Sequence, residues 1–104
     1  MKDTVPKIFI SQPMGDRSDK DIEEERNLIL EDASRILGCD VREVPTFFKE
    51  YSHAENDALR CLGRSLQMMA DADHAYFATG WEDRRGCKIE HEAAVQYGIH
   101  ILKD

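Results

Sequence analysis

The sequence predicts an α/β fold, a three-layer sandwich with helices on both faces of a small parallel sheet. Apolar strand-like runs alternate with helical-period segments in the order β-α-β-α-β-α-β, and helical crossovers call for parallel pairing. At 104 residues the chain has room for one layered core and no second one. Hydrophobic residues at 41% and charged residues at 34%, with 6 Gly and 3 Pro, make a globular composition rather than a disordered or repetitive one.

Lys7-Ile8-Phe9-Ile10-Ser11 is an apolar run between Pro6 and the breaker Pro13-Met14-Gly15, and reads as a buried first strand. A helix starts at Ser18, with Asp21 three residues on in a weak capping-box pattern. Ile22, Ile29, Ala33, Ile36 and Leu37 recur at helical spacing, and Gly38 supplies the stop. Arg26 falls on the same face. A guanidinium there needs a carboxylate, carbonyl or ligand, because an unpaired buried charge is too costly.

Asp40–Val44 alternates as a half-exposed strand ended by Pro45, and 46–51 is a loop presenting Phe47 and Phe48 to solvent. Ser52 and Glu55 form an S-x-x-E capping box for a second helix. Leu59, Leu62, Leu66 and Met69 make its apolar face, and Gly63 suits close packing. Asp71-Ala72-Asp73 closes it as turn residues. His74–Thr79 is a third strand, Gly80–Gly86 a loop, Cys87–Tyr97 a third helix stopped by Gly98, and Ile99–Leu102 the last strand. There are no internal repeats and no linker, so residues 1–104 form one domain of flavodoxin/Rossmann-like class. Right-handed crossovers place every strand-to-helix loop at the carboxyl edge of the sheet, where such folds bind ligands.

Fourteen Lys and Arg against 21 Asp and Glu leave a net charge of −7. That surface repels phosphodiester backbones and excludes general nucleic-acid binding, while a local cluster of Arg or backbone N–H groups still admits a small anion. No apolar run is long enough to span a membrane. Met1-Lys2-Asp3-Thr4 places an acid where a signal peptide would turn apolar. Cys39, Cys61 and Cys87 are odd in number and lack CxxC spacing, so a reducing cytoplasm is the expected location. His53, His74, His91 and His100 are scattered, and Val95 stands where HExxH would need its second His. Neither a metal nor a cofactor is expected.

Glu90 is the first candidate for chemistry. At ~100° per residue it shares a face of the third helix with Ala93, Ala94 and Tyr97, about one turn from the amino end. A carboxylate so placed stays ionised, is desolvated and is held rigidly, as a nucleophile or cation stabiliser must be. The alternative is a capping Glu paired with Arg26, Arg84 or Arg85. The first loop, Ser11-Gln12-Pro13-Met14-Gly15-Asp16-Arg17-Ser18, could cradle a phosphate or ribose or be an ordinary turn; it contains no GxGxxG and no P-loop. In the third loop Trp81 could stack a base, with Arg84, Arg85 and Gly86 holding a phosphate; alternatively Trp81 covers the core and the arginines are surface charge. Cys87, at a helix start near Arg85, could have a lowered pKa, but no His is placed to serve it and a small buried Cys is common.

Ile8 to Gly15 with Ile22 to Arg26, and Ala72-Asp73 through Gly80-Trp81 with Arg85-Gly86-Cys87-Lys88-Ile89-Glu90-His91-Glu92-Ala93-Ala94 and Tyr97-Gly98-Ile99, together resemble the nucleoside 2-deoxyribosyltransferase-like superfamily. Within it the sequence looks closest to small DUF4406-type proteins of bacteria and phages, over nearly the whole chain. Gly86-Cys87-Lys88-Ile89-Glu90 is similar to the family's G-[TS]-x-x-E, whose Glu is the catalytic nucleophile.

The resemblance implies that Glu90 attacks the anomeric carbon of a (deoxy)nucleoside or nucleoside 5′-monophosphate. The glycosyl group then passes to another base or to water, as at a retaining glycosidase carboxylate. It implies that Ser11, Gln12, Met14 and Gly15 contact the ligand, and that subunits assemble as a homo-oligomer. The family's Asp six residues before the nucleophile is Arg84 here, with Asp83 one place earlier, so Asp83 is the candidate acid/base. Cys87 stands for the usual Thr or Ser. The arginines suit a 5′-phosphate. A phosphoribohydrolase of the cytokinin-activating type is a competing reading, weakened because 81–85 lacks paired glycines. A nucleotide-binding module without turnover is another, motivated by the displaced Asp.

Overall fold

The computed structural model describes residues 5–48 and 55–104, with side chains from 57 onward in the second stretch. Period-two alternation in β1 (Lys7–Ser11) decides the layering. Ile8 and Ile10 join Ile29, Ala33, Tyr76 and Ala78 in one core. Phe9 joins Val44, Met69, Ala75, Phe77 and Ala94 in the other. The first core is covered by α1 (Asp19–Leu37), the second by α2 (Glu55–Met69) and α3 (Arg85–Gln96). Ile8 and Phe9 are 0% exposed and Ile10 2%; each such side chain contributes about 1.5–3 kcal/mol by leaving water.

The sheet is wholly parallel, in the order β2-β1-β3-β4, with β2 at Arg42–Glu43, β3 at His74–Phe77 and β4 at His100–Lys103. This is the expected three-layer architecture, a small flavodoxin-like fold. No helix among the described residues is long and apolar enough to cross a membrane.

Several boundaries and faces differ from the sequence reading. β2 has two residues, both exposed, rather than five. Val44 still donates to Ile8 O at 2.9 Å, but Pro45 has no N–H to continue the ladder. β3 stops at Phe77 because Gly80, at φ 89°, turns the chain into a single 3-10 turn, Trp81–Asp83, and α3 starts two residues early at Arg85. β4 starts at His100, one residue late. Ser18 caps α1 by accepting from Asp21 N at 3.1 Å, and Gly38, at φ 72°, ends it through its N–H to Ser34 O. Ile36 and Leu59, assigned to buried faces, are 49% and 70% exposed. A Cβ at Gly63 would meet open space, so close packing is not its role. Phe47 and Phe48 are half-buried, not exposed. The Ser52 capping box and the start of the chain lie outside the described residues.

Candidate functional site

Strand order reverses between β1 and β3, and a cavity of about 530 Å³ opens at their carboxyl ends. That volume suits a nucleoside-sized ligand. The segment after β1 lines it with Met14 and Gly15, and the segment after β3 with Asp83, Arg84, Arg85 and Gly86.

Glu90 lies at its floor because two periodicities meet there. Ser11 follows Phe9 by two residues and so faces the α3 side of the sheet. Cys87, Glu90 and Ala94, spaced by three and four, form the buried stripe of α3. Ser11 Oγ donates to Glu90 Oε1 at 2.6 Å, across 79 residues of sequence. Tyr97 does not share this stripe: it is 85% exposed, and its backbone has left the helix at φ −102° and ψ 10°.

The carboxyl is 9% exposed. Burial pushes its pKa up to about 7 from 4.5, against the opposing pull of the Ser11 hydrogen bond, the Arg26 charge and the Ser65 hydrogen bond. The helix end therefore does not keep Glu90 fully ionised, because desolvation outweighs it. Among the described residues no cation comes within ion-pair distance of Glu90, so the salt-bridging alternative is not what the structure holds.

Arg26 has its own partners. It is 3% exposed and donates from Nε to Glu43 Oε2, from Nη1 to Gln12 Oε1 at 3.1 Å, and from Nη2 to Thr46 Oγ1 at 2.9 Å. Gln12 Nε2 donates to Ile22 O at 3.0 Å and Glu25 Oε1 at 2.7 Å. These bonds tie the end of β1 to α1 and to the segment after β2. Gln12 lines the cavity, but its amide is committed to that scaffold.

The first and third loops touch through Arg84. A Cβ at Gly15 would stand 2.9 Å from Arg84 Nη1, so the guanidinium lies directly over the glycine backbone. Trp81 is elsewhere. Its ring stacks on His91 with centroids 4.1 Å apart and tilts against Phe77, and it does not line the cavity. Cys87 lines the cavity and is 5% exposed; burial pushes its thiol up, opposite to what a thiolate nucleophile needs.

Phe48 and Ser65 are among the lining residues that the sequence did not single out for function. Phe48 brings an aromatic ring to the cavity from the segment after β2. Ser65 is 6% exposed and reaches Glu90 from α2. A small hydroxyl residue between Leu62 and Met69 on an apolar face was the available signal. No group of three or more His, Cys, Asp or Glu gathers as a metal site among the described residues.

A family model described as a domain of unknown function, DUF4406, matches residues 6–103. No curated protein and no solved structure matches the chain.

Proposed function

We propose that this chain, which belongs to the DUF4406 family, cleaves or transfers at the N-glycosidic bond of a (deoxy)nucleoside or nucleoside 5′-monophosphate. The observation that carries the reading is a buried carboxylate, Glu90, on the floor of a nucleoside-sized cavity, held by a serine and unpaired with any described cation. Ser11 and Ser65 hold the carboxylate in place, and one of its oxygens attacks C1′. As that bond forms, the C1′–N bond breaks and its electron pair leaves with the base, which takes a proton from Asp83 at the rim. Water or a second base then attacks C1′, giving its proton to the Asp83 carboxylate, and the bond from C1′ to the Glu90 oxygen breaks, which frees the carboxylate and retains configuration.

Arg84, Arg85 and the first-turn N–H groups of α3 supply the positive end that a 5′-phosphate requires. Phe48 and Met14 take the base-facing role that the sequence reading assigned to Trp81 and Met14. The same reading places the protein in the cytoplasm as a homo-oligomer, with no polynucleotide or membrane partner. An apolar groove formed by Leu66, Met69, Ala70, Ala93, Tyr97 and Ile99 supports assembly, and light scattering checks it.

The test is chromatographic detection of free base from a panel of nucleosides and their 5′-monophosphates. Release by the native protein is expected to drop by at least about a thousandfold in Glu90→Gln. In Arg84→Met, KM is expected to rise for monophosphates and not for nucleosides. Equal release by native protein and Glu90→Gln overturns the reading. Ligand-induced thermal stabilisation without release assigns the chain to the binding-module class instead.

A further inference from the structure

The amino edge of the sheet, opposite the cavity, holds two histidines that only strand register brings together. His74 opens β3 and His100 opens β4, and parallel pairing sets them directly opposite each other. Paired positions on adjacent strands are close enough for their side chains to touch. Their Nδ1 atoms stand 2.8 Å apart, with the rings edge-to-face at 78° and centroids 4.9 Å apart. In the neutral pair one Nδ1 carries the proton and the other accepts it. His100 is exposed and His74 half-buried, so an ion in solution can reach them.

The geometry points to a divalent-metal site with the two Nδ1 atoms as cis ligands and water completing the sphere, suited to an ion of the nickel and copper class. At metal–nitrogen distances of about 2.0–2.1 Å, a right-angled pair of ligands sits about 2.9 Å apart and a tetrahedral pair about 3.3 Å apart. The observed 2.8 Å, set by the hydrogen bond between the rings, lies closer to the right-angled separation than to the tetrahedral one, so the two nitrogens need little movement to become cis ligands of a tetragonal or octahedral ion. The donating ring shifts its proton to Nε2, which turns both Nδ1 lone pairs to the metal without net proton release. Asp73 is anchored beside the pair, accepting Lys7 N–H at 2.8 Å, and its charge favours a cation there. The ion would fasten β4, an edge strand, to β3. This site is independent of Glu90, so its failure leaves the glycosidic-bond reading untouched.

The probe is nickel chloride alone, titrated calorimetrically into the full chain at a pH above the imidazole range. Native protein is expected to bind one ion per chain, with Kd weakened roughly tenfold or more in both His74→Gln and His100→Gln. Nickel is expected to raise the melting temperature of the native protein only. His91→Gln should leave binding unchanged. Copper(II) resonance of the native protein supplies a readout that needs no variant, and should show two imidazole nitrogens. The assignment is overturned by no saturable binding below about 1 mM nickel, by an isotherm that either pair substitution leaves unchanged, or by a copper spectrum with fewer than two nitrogens.

Discussion

Replacing Glu90 with Gln should remove activity and, at alkaline pH, stabilise the protein. In the folded chain the carboxyl binds its proton more tightly than in the unfolded one, with a pKa of about 7 against 4.5. Between those values the folded state holds more protons, so raising the pH drains stability, and above about 7 the loss is complete. The rise from 4.5 to about 7, at about 1.4 kcal/mol for each pH unit, puts the full loss at about 3 to 4 kcal/mol. An amide has nearly the same volume, keeps an acceptor for Ser11 Oγ and carries no charge to desolvate. Glu90→Gln should therefore gain about 3 to 4 kcal/mol at pH 8 and less than about 0.5 kcal/mol at pH 4.5. Urea unfolding of both proteins across that range measures it. In a domain of this size the gain at pH 8 should raise the melting temperature by more than about 10 °C. A pH-independent difference between the two proteins would refute the claim that desolvation of Glu90 outweighs its hydrogen bonds and the Arg26 charge.

Three further outcomes follow from the contacts. Ser11→Ala removes the donor to Glu90 Oε1, so the acidic limb of the base-release profile should move up by about one to two pH units, since a hydrogen bond to a charged group contributes about 1.5–3 kcal/mol. Arg26→Met leaves Gln12, Glu43 and Thr46 without their shared donor and should cost about 3 kcal/mol in urea unfolding, because a buried network loses its central charge. Tyr76→Phe deletes the 2.6 Å bond from Tyr76 Oη to Asp32 Oδ2 and should cost about 1.5 kcal/mol without changing base release, since Tyr76 lies on the α1 face of the sheet.

Local periodicity made much of the architecture legible in the sequence. Alternation in Ile8-Phe9-Ile10-Ser11 says which residues share a face, and the spacing of Cys87, Glu90 and Ala94 puts the carboxyl on a buried stripe. Arg26 could be recognised as a buried cation in need of partners, because its position on an apolar helix face is a local fact. Its particular partners could not, since Gln12, Glu43 and Thr46 come from three other segments.

The sequence by itself determined the layered α/β fold, the loops that border the cavity and the carboxylate at its floor, since each is written in spacings of two to four residues. Tertiary structure alone decided the rest. It stacked Trp81 on His91 and brought Phe48 to the cavity in its place. It laid Arg84 over Gly15, and paired His74 with His100 through a register between strands 26 residues apart. It also raised the Glu90 pKa, because desolvation sums over every group that excludes water from the carboxyl, and those groups come from β1, α2 and α3 together.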